Sequence, residues 1–269
     1  MMTLDILICT LDKGIVRLSD VLMPLREGVR YIVSYQYTDE RYLELVPPTL
    51  SERTDVSFYK YQGQGLSANR NLAMEKATAD LVMYADDDTR FAPDAVDRIQ
   101  EVFNLHSDLD VAFFRASTYT GKPLKDYPSE EQVITGMPKS YVISAIEMVC
   151  RRSTVQRTMR FDERFGLGTK FLTCGEEEIW MEDARRRGLK MMYFPVKTVE
   201  TSTLLKKNLI YVDAGVQRSF GALTYYKQGS SAWFSCLRFA ARAARSGYCH
   251  FWPMARHLFE GIHFMRKTQ

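Results

Sequence analysis

Three consecutive aspartates, Asp86, Asp87 and Asp88, follow the apolar segment LVMYA and are the clearest chemical feature of the sequence. Adjacent carboxylates repel one another, so such a cluster persists where a cation shares the site. Carboxylate oxygens are hard ligands that suit Mg²⁺ or Mn²⁺. Because side chains alternate along an extended chain, Asp86 and Asp88 face one way and Asp87 faces the other. The triplet therefore predicts a cation site, and the alternative is a solvated turn followed by a helix cap.

A second acidic cluster, Glu176-Glu177-Glu178, follows Gly175 and opens the predicted helix EEEIWMEDARRR. A carboxylate within hydrogen-bond reach of a hydroxyl can remove its proton while the oxygen attacks. Neighbouring glutamates disfavour the charged form of such a base, whereas a helix N-terminus favours it. The alternative interpretation is that the glutamates only complement the helix dipole, which is worth about 0.3–1 kcal/mol for each.

The elements that must position these clusters alternate between strand and helix, which predicts an α/β fold with a doubly wound, mostly parallel sheet. In such sheets ligands bind beyond the carboxyl ends of the strands, where the aspartate triplet lies. Helices are predicted after the first strand, over SANRNLAMEKATA, after Pro93 and over EEEIWMEDARRR. Strands are predicted over LDILICT, VRYIVSYQ, DVSFYKYQ, DLVMYADDD, DVAFFRAS, SAIEMVCRR and LKMMYFPV.

Length and composition favour a globular protein built around one large α/β domain, since the 269 residues are 46% hydrophobic and 26% charged. The five cysteines are odd in number and form no CxxC pair, which argues against zinc-ribbon and redox motifs and favours a reducing cytoplasm. The N-terminus lacks a basic leader, and no apolar run is long enough to predict a membrane-spanning helix.

The stretch GLSANRNLAMEKATADLVMYADDDTRFAP resembles the nucleotide-binding half of family 2 glycosyltransferases, which have the GT-A fold, Rossmann-like in topology. The resemblance implies that Asp88 and Asp86 hold Mn²⁺ or Mg²⁺ bridging the diphosphate of a nucleotide-sugar donor, a UDP-sugar by expectation. It also implies that Asp87 approaches the ribose and that Arg70 lies near the base or the phosphates. The residues that carry the resemblance are Gly65, Ser67, Arg70, Asn71, Asp86 to Asp88 and Pro93.

The second acidic cluster extends the resemblance. Family 2 enzymes often have a motif like FDE-x-F, followed by a glycine-containing loop and then by Glu-Asp at the start of a helix. In this chain the motif spans Phe161 to Phe165, and the predicted helix starts with the glutamates of the second acidic cluster. The family's catalytic base is the second acid of that pair, which maps to Glu177, with Glu176 as the alternative. With the base on one side of the sugar and the metal on the other, direct displacement inverts the anomeric centre. The loop over residues 166–173 is either a lid over the donor or an inert surface turn.

The remaining predicted donor contacts lie where the chain departs from the family pattern. Many members have an aspartate after the second strand, whereas this chain has Ser34-Tyr35-Gln36. Gln36 or Ser34 could hydrogen-bond a uracil-type edge, although core or surface roles remain alternatives. Thr10, at the end of the first strand, is either a nucleotide contact or a helix cap, and Ser67 is a further predicted donor contact. Members often have a histidine after the last strand, where this chain reads VETS.

The C-terminal part of the chain is strongly basic. Residues 204–269 hold ten Lys or Arg and two acids, a net charge of +8, which leaves −5 for residues 1–203. This asymmetry predicts a catalytic domain over 1–203 and a basic helical extension over 204–269. In the extension Trp233, Phe234, Leu237 and Ala241 are expected on one side of a helix and Arg238, Arg242 and Arg245 on another, and Met254, Leu258, Ile262 and Met265 share a face of the next helix. Basic amphipathic helices suit an anionic membrane surface, and the alternative is packing onto the body with solvated arginines.

Together these features predict an inverting, metal-dependent glycosyltransferase that takes a glycan or lipid-linked acceptor in surface polysaccharide assembly. Its expected location is cytoplasmic, peripheral on the inner face of the plasma membrane, and nucleic-acid binding is not expected. One alternative is a sugar-nucleotide nucleotidyltransferase. Proteins of that class have a glycine-rich loop ending in arginine after the first strand, whereas this chain has ICTLDKGI there, which counts against the alternative. The other alternative is a non-catalytic binding protein docked on a membrane.

Overall fold

The structure, a computed structural model, describes residues 1–138, 142–202 and 208–268 and has an α/β fold. The strands are β1 (Leu4–Leu11), β2 (Val29–Tyr37), β3 (Val56–Gln62), β4 (Leu81–Asp86), β5 (Thr89–Phe91), β6 (Val111–Thr118), β7 (Gln132–Val133), β8 (Met148–Arg151) and β9 (Met191–Thr201). The α-helices are α1 (Leu18–Val21), α2 (Thr49–Glu52), α3 (Leu66–Lys76), α4 (Ala95–Leu105), α5 (Arg152–Val155), α6 (Glu176–Arg186), α7 (Leu209–Val212), α8 (Ala214–Gln228), α9 (Ala232–Arg245) and α10 (Phe251–Thr268).

The strands form one mixed sheet in the order β3-β2-β1-β4-β8-β6-β9-β5, with β7 paired to β9. The half built from β3, β2, β1 and β4 is parallel throughout. In the other half, β8 runs antiparallel to both of its neighbours, β4 and β6, while β6 and β9 are parallel. The α/β fold class is thus confirmed, and the structure adds an antiparallel strand in the middle of the sheet.

The sheet is covered on both faces, as a doubly wound fold requires. On one face α4 packs through Val96, Ile99 and Phe103 against apolar side chains of β1, β2 and β4. On the other face Ala73 of α3 and Trp180 of α6 join a second apolar cluster. Since both faces are buried, the central strands are almost continuously apolar, which is why they could be recognised in the sequence.

Among the predicted elements, the segment between β1 and β2 differs most from expectation. The apolar spacing predicts one amphipathic helix there, but the chain forms a 3₁₀ helix over Asp12–Arg17 followed by the single α-helical turn α1. Asp12 has a positive φ of 48° at the start of the 3₁₀ helix. The tight turn carries Arg17 back over the end of β1.

The C-terminal helices α8, α9 and α10 pack against one another and against the rest of the protein. Met254, Leu258, Ile262 and Met265 of α10 are all buried, as predicted. On α9 the predicted apolar side is not the packed one, since Phe234 and Leu237 are exposed. The buried face of α9 instead consists of small residues: Ala232, Cys236, Ala240 and Ala243. The boundary predicted between residues 203 and 204 falls outside the described residues and stays a prediction.

The five cysteines all lie in described parts of the chain and are free thiols. In the described residues no helix is both long enough and apolar enough to cross a membrane.

The contact between α8 and α10 is close enough to require glycine on both helices. A Cβ at Gly221 would lie 2.0 Å from the Leu258 carbonyl oxygen, and a Cβ at Gly261 would lie 1.9 Å from the Arg218 carbonyl oxygen. These are backbone atoms, so a side chain at either position would push the helices apart. The two glycines therefore set the spacing of the extension.

We expect Gly221→Ala to destabilise the protein by about 1–3 kcal/mol, the usual cost of overpacking. Helix propensity acts in the opposite direction, because alanine is about 1 kcal/mol better than glycine inside a helix. Urea unfolding of the variant and the wild type measures the difference. A variant more stable than the wild type would show that the helices do not meet closely at Gly221.

Candidate active site

A cleft of about 270 Å³ opens at the carboxyl ends of β1, β2 and β4, where the predicted fold expects a ligand. The three aspartates line one part of it, and the start of α3 lines another. Thr10 and Gln36 of the predicted donor contacts lie in its wall. The lining residues are Cys9, Thr10, Leu11, Arg17, Gln36, Gly65, Leu66, Asn69, Asp86, Asp87, Asp88 and Leu167.

Asp87 faces the end of β1. Its carboxylate accepts a hydrogen bond from the Thr10 hydroxyl at 2.7 Å and is paired with the half-exposed Arg17 guanidinium. Thr10 itself is buried, and its carbonyl oxygen accepts a hydrogen bond from the Asn69 amide at 3.1 Å. The triplet is therefore held to β1 through its middle member. Arg17 places a cation in the cleft that the sequence analysis did not identify.

Asp88 points toward the end of β9. Its carboxylate accepts hydrogen bonds from the Thr201 hydroxyl, at 3.2 Å, and from the Ser202 hydroxyl. The backbone carbonyl of Asp88 accepts a hydrogen bond from the Tyr119 hydroxyl. Thr201 and Ser202 belong to the segment VETS, where the resemblance expected a histidine. At the end of β9, hydroxyl groups therefore orient Asp88.

Asp86 is the member of the triplet that faces Arg70, which also contacts the second acidic cluster. It ends β4 in register with Cys9 of β1, and its carboxylate is 3.9 Å from the Arg70 guanidinium. Burial raises the pKa of Asp86 to about 6; Arg70 opposes that rise, while the carboxylates of Asp88 and Glu177 add to it. Asp86 is thus a carboxylate whose negative charge is only partly compensated by the protein.

Arg70 joins the two acidic clusters. Its side chain, only 4% exposed, projects from α3 and donates to Glu177 at 3.0 Å and to Glu176 at 3.4 Å. Its other terminal nitrogen faces Asp86, and its guanidinium lies over the Phe161 ring at 5.1 Å. Burial lowers the pKa of Arg70, but the carboxylates of Glu177, Asp86 and Glu176 more than offset this, so the guanidinium stays charged.

The glutamates stand at the N-terminus of α6, immediately after Gly175. This glycine has a left-handed conformation, with φ 101°, which turns the chain into the helix. Burial raises the pKa of Glu176 to about 8; Glu177 acts in the same direction and Arg70 acts against it. The Glu177 side chain is 18% exposed, against 7% for Glu176, so Glu177 is the more accessible carboxylate.

A loop over residues 165–172 connects the cleft to the C-terminal helices. The Leu167 carbonyl accepts a hydrogen bond from the backbone of Leu66 at 2.9 Å, and the buried Ser67 hydroxyl donates to the Phe165 carbonyl at 2.7 Å. Phe165 and Leu172 pack in one apolar cluster with Leu223 of α8 and Met265 of α10. The loop is therefore held from both sides, and Ser67 serves this contact rather than lining the cleft.

The start of α6 rests on α8. The Cys174 backbone amide donates to the Ser219 hydroxyl at 3.3 Å. A Cβ at Gly175 would lie 2.7 Å from the Leu223 side chain, so α8 packs directly on the turn before Glu176. The C-terminal helices thus support the candidate base.

The part of the cleft between β2 and α3 has polar groups without hydrogen-bond partners among the described residues. The Asn69 side chain is buried, and the Thr10 carbonyl orients its amide so that Oδ1 is left unpaired. The buried Ser34 hydroxyl on β2 is also unpaired; Ser34 does not line the cleft, whereas Gln36, two residues further on the same side of the strand, does. Unpaired buried acceptors cost stability unless something donates to them. Sequence analysis identified Ser34 and Gln36 but not Asn69.

The carboxylates that line the cleft fit a metal ion whose remaining ligands come from a bound phosphate group and water. Within the described part of the chain, no group of three or more His, Cys, Asp or Glu is arranged to hold a metal ion. Asp86 and Asp88 line the same cleft and supply two hard carboxylate groups. Mg²⁺ typically keeps one or two protein carboxylates and completes its shell with phosphate oxygens and water.

Part of the chain matches a model of a known protein family. Residues 51–170 match the model described as Glycosyl transferase family 2. The matched range contains α3, Arg70 and the aspartate triplet, and it ends before Glu176. Among curated protein sequences, no relative matches the chain.

Solved structures of S. aureus TarS share the fold. The TarS 1-349 structure has a TM-score of 0.64 at 12% identity, covering 100% of this chain and 92% of that one. The same fragment in complex with UDP-GlcNAc has a TM-score of 0.58 at 12% identity and covers 100% and 93%. The fragment in complex with UDP gives 0.58 at 10% identity, covering 100% and 92%.

The fold, the cleft and the family match together define a glycosyltransferase with the GT-A fold. The similarity to glycosyltransferase family 2 covers residues 51–170 of the chain.

We expect Arg70→Met to destabilise the protein by about 3–5 kcal/mol, because it leaves the buried Glu176 and Glu177 without their cation. Arg160→Met is the matched control, since Arg160 is 60% exposed and pairs with Glu75 at the surface. The control should cost no more than about 1 kcal/mol. Urea unfolding measures both, and equal losses in the two variants would contradict the role assigned to Arg70.

Glu176 should make stability fall as the pH rises. Its pKa is about 8 in the folded protein against the ordinary 4.5, so the folded state binds more protons between these values and loses stability through that window. Glu176→Gln, which cannot ionise, should therefore gain stability relative to the wild type as the pH is raised. Urea unfolding across this pH range measures the trend, with the exposed Glu101→Gln as the control whose offset stays constant. Parallel curves for Glu176→Gln and the wild type would exclude a raised pKa.

Proposed function

We propose that this protein is an inverting glycosyltransferase that moves a sugar from a nucleotide-diphosphate donor, a UDP-sugar, to an acceptor hydroxyl. The observation that carries the proposal is the contact of Arg70 with both acidic clusters. It brings a candidate base and a candidate diphosphate site within the reach of one side chain. The UDP-GlcNAc and UDP complexes of TarS, which has the same fold, support a uridine nucleotide as the donor.

The donor would lie in the cleft with its nucleoside toward β2 and α3 and its diphosphate toward the triplet. Gln36 and Asn69 would contact the base: Asn69 offers an acceptor for the N3–H of a uracil, and the Gln36 amide can donate to a ring carbonyl. Asp87 would bind the ribose beside Thr10. Arg17, which now pairs with Asp87, would provide a positive charge near the phosphates.

Glu177 is the proposed base. It is more exposed than Glu176, and it lines a small cavity with Phe161 and Trp180. Burial raises the pKa of Glu176, which favours its protonated form over the carboxylate that a base requires. Arg70 would then position Glu177 through the hydrogen bond between them. Glu177 would take the proton of the acceptor hydroxyl as its oxygen attacks the anomeric carbon.

Asp86 and Asp88 are the proposed ligands of Mn²⁺ or Mg²⁺. When bound, the cation would supply positive charge to the leaving diphosphate. Asp88 is already oriented by Thr201 and Ser202, and Asp86 has a charge that the protein compensates only in part. Both residues are thus prepared for a cation.

The acceptor is proposed to be a glycan or a lipid-linked saccharide in surface polysaccharide assembly. Such an acceptor would place the enzyme on the cytoplasmic side, as a peripheral protein at the inner face of the plasma membrane. The free cysteines agree with a reducing compartment.

Two variants separate donor binding from chemistry. Asp88→Ala should lose the part of UDP binding that depends on Mn²⁺, whereas Glu177→Gln should bind UDP with Mn²⁺ as the wild type does. Sugar transfer should fall in both, by about 10²–10⁴-fold in Glu177→Gln, the usual contribution of a general base. Isothermal calorimetry with UDP and Mn²⁺ measures binding, and a screen of UDP-sugars for hydrolysis and transfer measures activity.

Removal of Mn²⁺ with EDTA provides the reference. Wild-type binding of UDP in EDTA should equal that of Asp88→Ala in Mn²⁺. Mn²⁺-dependent UDP binding that survives in Asp88→Ala would refute the metal assignment, and full transfer activity in Glu177→Gln would refute the base.

A further inference from the structure

We propose that the outer faces of α9 and α10 form a docking surface for an anionic lipid bilayer. The docking surface is defined by Phe234, Leu237, Arg238 and Arg242 of α9 and by Trp252 and Arg256 of α10. It lies outside the catalytic cleft and does not depend on which donor the cleft takes.

Large apolar side chains are exposed on this surface although smaller ones on the same helices are buried. Phe234 is 63% exposed, Leu237 40% and Trp252 78%. Leu237 and Trp252 line one groove of about 530 Å³ between α9 and α10, so the two helices present them together. Phe234 lines a second groove, between α8 and α9, together with Arg238 and Arg242. A group of exposed apolar residues of this kind marks an interaction site rather than ordinary surface variation.

Basic residues accompany the apolar ones. Arg238, Arg242 and Arg245 are exposed on α9, which contains no acid, and Arg238 lies over the Phe234 ring at 5.5 Å. The only acid of α10 is Glu260, which is already paired with Arg256 at 2.8 Å and lies 3.6 Å from Arg218. The exposed charge of the surface is therefore positive, and its occupant should be negative.

This combination selects a lipid surface among negative partners. Trp and Phe prefer the boundary between headgroups and acyl chains, and arginines pair with lipid phosphates at the same depth. The helices are buried on their other faces, by Ala240 and Cys236 of α9 and by Leu258 and Ile262 of α10, so they need not unfold or turn to expose the docking surface. Binding would leave the packing of α8 on the loop before Glu176 in place.

Vesicle flotation of the full chain, without donor or metal, tests the docking surface separately from the transfer reaction. The wild type should float with vesicles of equal parts phosphatidylcholine and phosphatidylglycerol and should not float with phosphatidylcholine alone. The double variant Arg238→Ala, Arg242→Ala should lose about 25-fold in affinity, because each arginine near an anionic surface contributes about fivefold. Phe234→Ser, Trp252→Ser should also weaken binding, since it removes apolar contact.

Matched controls remove similar groups elsewhere. Leu105→Ser, Leu25→Ser replaces side chains that are 74% and 67% exposed on the catalytic body, and Arg98→Ala, Lys190→Ala removes two surface cations. Both controls should bind as the wild type does. Urea midpoints equal to that of the wild type would show that every variant is folded.

Three results would overturn the proposal. They are absence of flotation with the anionic vesicles, equal flotation with both vesicle types, and equal loss in the control variants. The remaining possible occupant is a second copy of the chain, and light scattering tests for such a dimer. The surface would be assigned to a second copy if the wild type is a dimer that does not bind vesicles and the variant Phe234→Ser, Trp252→Ser is a monomer. If the wild type floats with the anionic vesicles but transfers no sugar from any donor, the result would count against the proposed function alone.

Discussion

The active-site region depends on one buried guanidinium. Removing a charge from water costs several kcal/mol, which is recovered only when good partners surround it. Arg70 finds those partners on elements that are far apart in the chain, Asp86 at the end of β4 and Glu176 and Glu177 at the start of α6. Because the charge and its partners are unstable apart, α3, β4 and α6 are held in one arrangement. The same pairing keeps two clusters of like charge close to each other.

The sequence identified most strands but not how all of them pair. Apolar runs such as LVMYA and VAFFRA predict buried strands because both faces of the sheet are covered. Such a run carries no information on direction, so nothing in SAIEMVCRR predicted that β8 would lie antiparallel between β4 and β6. The packed face of α9 depends on a different property of the sequence. Close helix contact selects small residues such as Ala240 over Phe234, and hydrophobicity alone ranks them in the opposite order.

Sequence analysis found both acidic clusters, because consecutive carboxylates are rare without a cation or a helix terminus to stabilise them. It could not show that Arg70 faces both, since contacts between distant segments depend on the folded path of the chain. Asn69 had a usable signal that was missed. It stands four residues before the buried Ala73 on the same side of α3, and a polar residue on a buried helical face needs a partner. In the structure the Oδ1 atom of Asn69 is the group that still lacks such a partner.

The C-terminal helices link the site to the surface through their two faces. On the inner side, Ser219 and Leu223 of α8 contact the turn that precedes Glu176, and Met265 of α10 packs with Phe165 of the cleft loop. On the outer side, α9 and α10 carry the exposed aromatic and basic residues. Since α8 and α10 approach closely enough to need Gly221 and Gly261, these faces belong to one rigid layer. A bilayer bound on the outer face would therefore fix the orientation of the cleft, which is what transfer to a membrane-held acceptor requires.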